Sequence, residues 1–150
     1  MPSVTITHLY TFVALIAVSS LLVFTFVDYA DAFKLSSEIN QLKNLMNEVA
    51  TKSTELVTLA LNANSTAEAY VEMPVSVGNK QYWLKIENDS EKAWLNGGLG
   101  ETISGSADLQ VCLPREASAV GYYIGGRGAA VLSCDMNDGT PQVTLSCSGG

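Results

Sequence analysis

The chain has a single histidine, His8, and three cysteines, and between Ser3 and about Ala63 it has no glycine, no proline and no charged side chain before Asp28. Each scarcity excludes something. A lone histidine inside an apolar run leaves no Ser/His/Asp triad and no histidine-based metal site in the remainder of the chain. Three cysteines without a fourth ligand do not make a structural zinc site. Eight Lys and Arg against fifteen Asp and Glu give a net charge of -7, and residues 64–150 hold ten acidic against five basic side chains. No basic patch is available for nucleic acid or for anionic lipid headgroups. Nothing in the pattern calls for a cofactor.

The absence of helix breakers predicts one long helix over residues 1–63, in two chemically different parts. From Thr5 to Val27 it is apolar on every face, with Leu9, Phe12, Val13, Leu15, Ile16, Leu21, Leu22, Phe24 and Phe26 among its largest side chains. A helix hydrophobic all round must be surrounded by lipid or by other helices. At 1.5 Å per residue this part spans roughly 30 Å or slightly more, the thickness of a bilayer's hydrocarbon core. Ala30-Asp31-Ala32 imitates a signal-peptide cleavage site, but no basic n-region precedes the run, and its retention is expected. Met1 before Pro2 is the start expected if a shorter leader has been removed.

Beyond Val27 charges appear and the apolar residues retreat to a stripe: Leu35, Ile39, Leu42, Met46, Val49, Ser53, Leu56 and Ala60. Alternating steps of four and three keep that seam on one side over several turns. Such a helix either packs on its own globular domain or is shared between neighbouring subunits, and the spacing alone serves both.

The remaining residues, 64–150, read as a small β head. Strands are expected at Tyr70–Val77, Gln81–Glu87, Ala93–Leu95, Leu109–Leu113, Ala119–Ile124, Ala129–Cys134 and Val143–Cys147. Gly78-Asn79 reads as a hairpin turn between the first two, and Asn96-Gly97-Gly98 as the end of the third. Seven short strands with frequent turn signals point to an antiparallel β-sandwich, each strand beside the previous one. The fold class is therefore α+β.

Cys112, Cys134 and Cys147 allow one disulfide or three small buried hydrophobes. A hairpin over 129–147 puts Cys134 and Cys147 near opposite ends, which favours a bridge involving Cys112. Asn64-Ser65-Thr66 and Asn88-Asp89-Ser90 are N-glycosylation sequons in expected loops. Asp135–Gly139 is one residue short of a calcium loop and reads as an Asp/Asn turn. The glycines at 97–100 and 125–128 lack the Lys-Ser/Thr of a phosphate loop. Trp83, Trp94, Tyr70, Tyr82, Tyr122 and Tyr123 serve either a core or a sugar-binding surface.

An all-round apolar helix beginning near the terminus, running unbroken into an amphipathic half and followed by a small β head, resembles archaeal type IV pilin-like proteins. The phrase Val71-Glu72-Met73-Pro74-Val75-Ser76-Val77-Gly78-Asn79-Lys80-Gln81-Tyr82-Trp83 is similar to the opening hairpin of such heads. Thr5 stands where bacterial pilins place a Glu, in keeping with the archaeal branch. The resemblance implies a structural rather than enzymatic role: a homo-oligomeric extracellular filament bundled through Thr5 to Val27 and used for surface adhesion. It also implies residence in the cytoplasmic membrane before assembly and handling by pilus assembly machinery. Two other classes are a single-pass membrane-anchored surface domain, such as a stationary archaellum component, and an anchored enzyme or sugar-binding module.

Overall fold

A computed structural model describes residues 2–149 apart from 90, 101–102, 104–106, 108 and 115–116. Helix α1 runs from Pro2 to Ala63 without a break. It is followed by β1 (Ala67–Val71), β2 (Tyr82–Asn88), β3 (Ala93–Leu99), β4 (Leu109–Cys112), β5 (Ser118–Ile124), β6 (Ala130–Asn137) and β7 (Thr140–Cys147). The chain forms two compact units, Met1–Ser37 and Glu38–Gly150, so the latter part of α1 belongs with the sheet.

The α+β class stands, with a helix followed by a mostly antiparallel β head, but the head is not two sheets. All seven strands lie in one sheet in the order β1-β6-β7-β5-β2-β3-β4. The layer opposite that sheet is the part of α1 from Glu38 onward. Leu42, Met46, Val49, Leu56, Val57 and Ala60 are buried in one core with Leu84, Leu95, Tyr123, Leu132 and Leu145. The seam from Leu42 onward is thus spent on the chain's own sheet, and the buried hydroxyl of Ser53 is satisfied within the helix, donating to the Val49 carbonyl at 2.8 Å. Ile39 is half-buried and Leu35 remains exposed. Glu38, the first residue of this unit, is buried, and Lys80 reaches its carboxylate at 3.0 Å.

Strand order departs from the expected neighbour-to-neighbour meander. β7 lies between β6 and β5 and runs parallel to β5, with Gly121 opposite Leu145. The Gly78-Asn79 turn does form, closing a single bridge between Val77 and Lys80. It does not join paired strands, because β1 ends at Val71 and pairs with β6, not with β2. Pro74 lies in the irregular connection, where it costs no ladder bond.

Asn96-Gly97-Gly98 does not end β3 but forms its middle, opposite Lys85, Leu84 and Trp83 of β2. The glycines are there for space. A Cβ on Gly97 would sit 2.6 Å from Met46 Sδ of the helix, and one on Gly98 would meet the Trp83 indole at 2.8 Å. Gly97→Val is expected to destabilise the head by about 2–3 kcal/mol through overpacking. Combining it with Met46→Ala should recover part of that loss in urea denaturation, since the helix side chain then yields the volume.

Two buried phenols tie the strands to their loops. Tyr82 donates to the Pro74 carbonyl at 2.8 Å and Tyr123 to the Gly128 carbonyl at 2.5 Å. Burial raises the pKa of both above the ordinary phenol value, and burial likewise raises the Cys134 thiol. Because the folded chain holds these protons more tightly than the unfolded one, the thiol's stabilisation begins to be lost above the ordinary thiol pKa of about 8.5, and the phenols' is complete below the ordinary phenol pKa of about 10 and lost as pH rises beyond it. Denaturation midpoints should therefore fall steeply above that pH. Tyr82→Phe should flatten the fall while lowering stability at neutral pH by about 1 kcal/mol for the lost hydrogen bond.

Candidate functional site: the uncovered apolar helix

The feature without a structural use inside the chain is the first part of α1. Leu9, Phe12, Val13, Leu15, Ile16, Leu21, Leu22, Phe24 and Phe26 are all more than half exposed, from 51% at Ile16 to 71% at Phe26. Fifteen large apolar side chains from Val4 to Val27 stand in this condition. Full burial of such side chains is worth about 1.5–3 kcal/mol each, so leaving the set in water costs on the order of tens of kcal/mol. The helix is long and apolar enough to cross a membrane.

The hydroxyls in this run do not make it polar. Thr11 donates to the Thr7 carbonyl at 2.9 Å, Ser20 to Ile16 at 2.8 Å, and Thr25 to Leu21 and Leu22 at 3.1 and 2.9 Å. Back-bonding of this kind lets a hydroxyl sit in an apolar setting with its proton satisfied. Ser19 and Ser20 also make the surface dip, forming a shallow groove flanked by Phe12, Leu15, Val23 and Phe24. Small residues of this sort let helix backbones approach closely.

Apolar exposure does not stop at the first charge. Tyr29 and Phe33 are as bare as the phenylalanines before them, and Leu35 is 45% exposed, with Asp28 and Asp31 interspersed. Charges begin at Asp28, which makes Val27 the end of the segment that is apolar on every face. The signal that extends it is the spacing of Tyr29 and Phe33, which share a helix face.

The other residues singled out from sequence are scattered. The aromatic set divides: Tyr82, Tyr123 and Trp83 are buried, Trp94 is half-buried, and Tyr70 and Tyr122 are exposed. Tyr123 therefore does not contribute to a sugar-binding surface. On the outer sheet face Lys85 pairs with Glu87, whose carboxylate also accepts from Asn96 Nδ2 at 2.8 Å. The Lys85 hydrogen bond holds Glu87 below the usual carboxylate pKa. Its acceptors face neighbouring side chains of the same strands.

The three cysteines are free thiols: Cys112 exposed, Cys134 buried and Cys147 half-buried. Cys147 lies at the open end of the β6–β7 hairpin, opposite Ala130, while Cys134 lies in its middle, opposite Val143, and not near the other end as expected. The expected bridge through Cys112 is not formed. Cys112 is on the edge strand β4, and β3, β2 and β5 separate it from β7. Strands spaced about 4.8 Å apart put it well beyond a disulfide's Cα separation of roughly 5.5 Å. Cys112 alternates against its apolar neighbours and faces outward, and this strand order was not readable from spacing.

Asp135–Gly139 closes the β6–β7 hairpin, with Asp138 and Gly139 at φ of 50° and 83° in the two-residue turn. Asn64 is exposed with φ 48°, immediately after α1. Asn88 is exposed at the end of β2, while Ser90 of its sequon lies outside the described residues.

What this arrangement can do is associate. It offers an apolar helix in which Thr11, Ser20 and Thr25 are back-bonded, and a self-sufficient β unit whose own apolar seam is already used. Comparison with protein families, with curated proteins and with solved structures finds no match to this chain.

Proposed function

We propose that this protein is the structural subunit of an extracellular type IV pilus-like filament, polymerising through bundled copies of the first part of α1. The observation that carries the reading is the extent of uncovered apolar surface. From Val4 to Leu35 it covers roughly 45–50 Å of helix at 1.5 Å per residue, against about 30 Å of bilayer hydrocarbon. Lipid covers Thr5 to Val27 before assembly. Copies of the same helix can cover that surface and also Tyr29, Phe33 and Leu35 afterwards.

Backbone needs agree with this history. A helix satisfies its own hydrogen bonds in lipid, and keeps them when neighbouring helices replace the lipid. A contact that repeats without closing generates an open helical polymer. The head already has a core of its own and is left to face solvent, where adhesion would take place.

The helix is also long and apolar enough to serve as a permanent anchor, which supports the second reading of a membrane-held surface domain. Electron microscopy of material sheared from the cells, with mass spectrometry to identify this chain, separates the two. Filaments built of the chain support the proposal. Its recovery only from detergent-extracted cytoplasmic membrane, with no filament, overturns the proposal in favour of the anchor.

A further inference from the structure

We propose that Asn64 carries an N-linked glycan, which crowns the end of the head where α1 stops. This rests on the extracytoplasmic location in the proposed function, but its evidence is separate.

Three features meet at this residue. Asn64-Ser65-Thr66 is the acceptor pattern for attachment to the asparagine amide. All three residues are exposed, and no strand or helix includes them: they form the link between Ala63 of α1 and Ala67 of β1. Asn64 itself sits at φ 48°, in the left-handed conformation that ends many helices, where glycine is the usual occupant and asparagine the next. The turn throws the side chain off the helix with Ser65 and Thr66 following in irregular backbone, so both the amide and the Thr66 hydroxyl are open to an enzyme.

Strand register places the site. β1 begins at Ala67 opposite Cys134, so Asn64 lies at the end of the sheet marked by the Asp138-Gly139 turn. β5 starts at this end, with Ser118 opposite Gln142, and antiparallel β2 finishes here at Asn88. Asn64 and Asn88, separated in sequence, thus come to one end of one sheet. β1 is also an edge strand, so Asn64 occupies a corner. Along α1 it is about 38 Å from Glu38, at 1.5 Å per residue, and so clear of the Glu38–Lys80 pair at the other end.

The donor is a lipid-linked oligosaccharide, and the catalyst an oligosaccharyltransferase acting outside the cytoplasm. The Asn64 amide nitrogen bonds to C1 of the first sugar, and the bond from C1 to the lipid phosphate breaks. The lipid phosphate leaves with the electron pair, and an amide proton passes to a base of the transferase. Bound sugar then occupies solvent beside the corner.

The test is mass spectrometry of the full chain from the cells that make it, comparing surface and intracellular fractions. Cleavage after Lys52 and Lys80 yields the peptide 53–80. On exported chain it should carry a sugar mass on Asn64. The mass should vanish in Asn64→Gln and in Thr66→Ala, and persist in Thr66→Ser. Thr66→Ala leaves the left-handed residue untouched, so it separates loss of glycan from loss of fold. Unmodified peptide on exported chain overturns this proposal alone. Unmodified chain confined to the cell interior overturns it together with the surface reading. Sugar mass retained in Thr66→Ala overturns the assignment to this sequon.

Discussion

Ile16→Lys is expected to abolish filaments while leaving the β head folded. Ile16 sits in the middle of the uncovered run and beside the Ser20 dip, where helices would approach most closely. In a bundle every copy would bring an ammonium into the apolar seam, where burying an unpaired charge costs several kcal/mol per ion after relaxation. Every subunit in the polymer incurs that cost, so no length of filament dilutes it. Ile16→Leu keeps volume and apolarity and should assemble at the parental level. The measurement is the yield of sedimentable filaments from sheared cells, with circular dichroism of the head as the control for folding. Filaments at the parental yield from Ile16→Lys would rule out the bundled-helix seam.

Gly121→Ala should be the most destabilising methyl added to any glycine among the described residues, with a loss of more than about 4 kcal/mol, enough to leave the head unfolded. Gly121 has φ 125°, which L side chains rarely adopt, and an added Cβ would lie 2.1 Å from the Leu145 carbonyl oxygen. The obstacle is backbone of the adjoining strand, which cannot rotate away as Met46 can beside Gly97. It also lies in the parallel β5–β7 pairing, opposite Ile86 on the other side. Thermal unfolding followed by tryptophan fluorescence checks this. A cooperative transition within a few degrees of the parent would refute it.

The long helix was legible because its evidence is local. A missing glycine, a missing proline and a stripe at steps of three and four are read within a window of a few turns. The later strands were legible nearly to their boundaries for the same reason, whereas the first was expected at Tyr70–Val77 and lies at Ala67–Val71, and the third was cut short where glycine misled. Gly97 and Gly98 look in sequence like a turn, and a glycine that makes room for Met46 and Trp83 has the same letter as one that bends the chain. The seam from Leu42 to Ala60 announced a partner without saying which, because one periodicity serves an intramolecular sheet and a neighbouring helix alike. Strand order was beyond reach: whether β7 lies beside β6 alone or between β6 and β5 is decided by contacts far apart in the chain. That in turn placed Cys112 far from the other thiols. Of the candidate site, the apolar run was plain from composition and Phe33 could be read as widening the apolar face beyond it, while Tyr29 was masked by the neighbouring aspartates.

The position of β7 has a consequence for how the chain comes into being. On one side of it stand β1 and β6, on the other β5, β2, β3 and β4, and only this seventh strand stitches the two groups into a continuous ladder. During synthesis these two groups therefore stay unjoined until the polypeptide has emerged as far as Cys147. Such a delay leaves the facing edges of the two groups open while α1 has already left the ribosome, and pairing between segments so far apart in the chain is the slow step of a sheet's assembly.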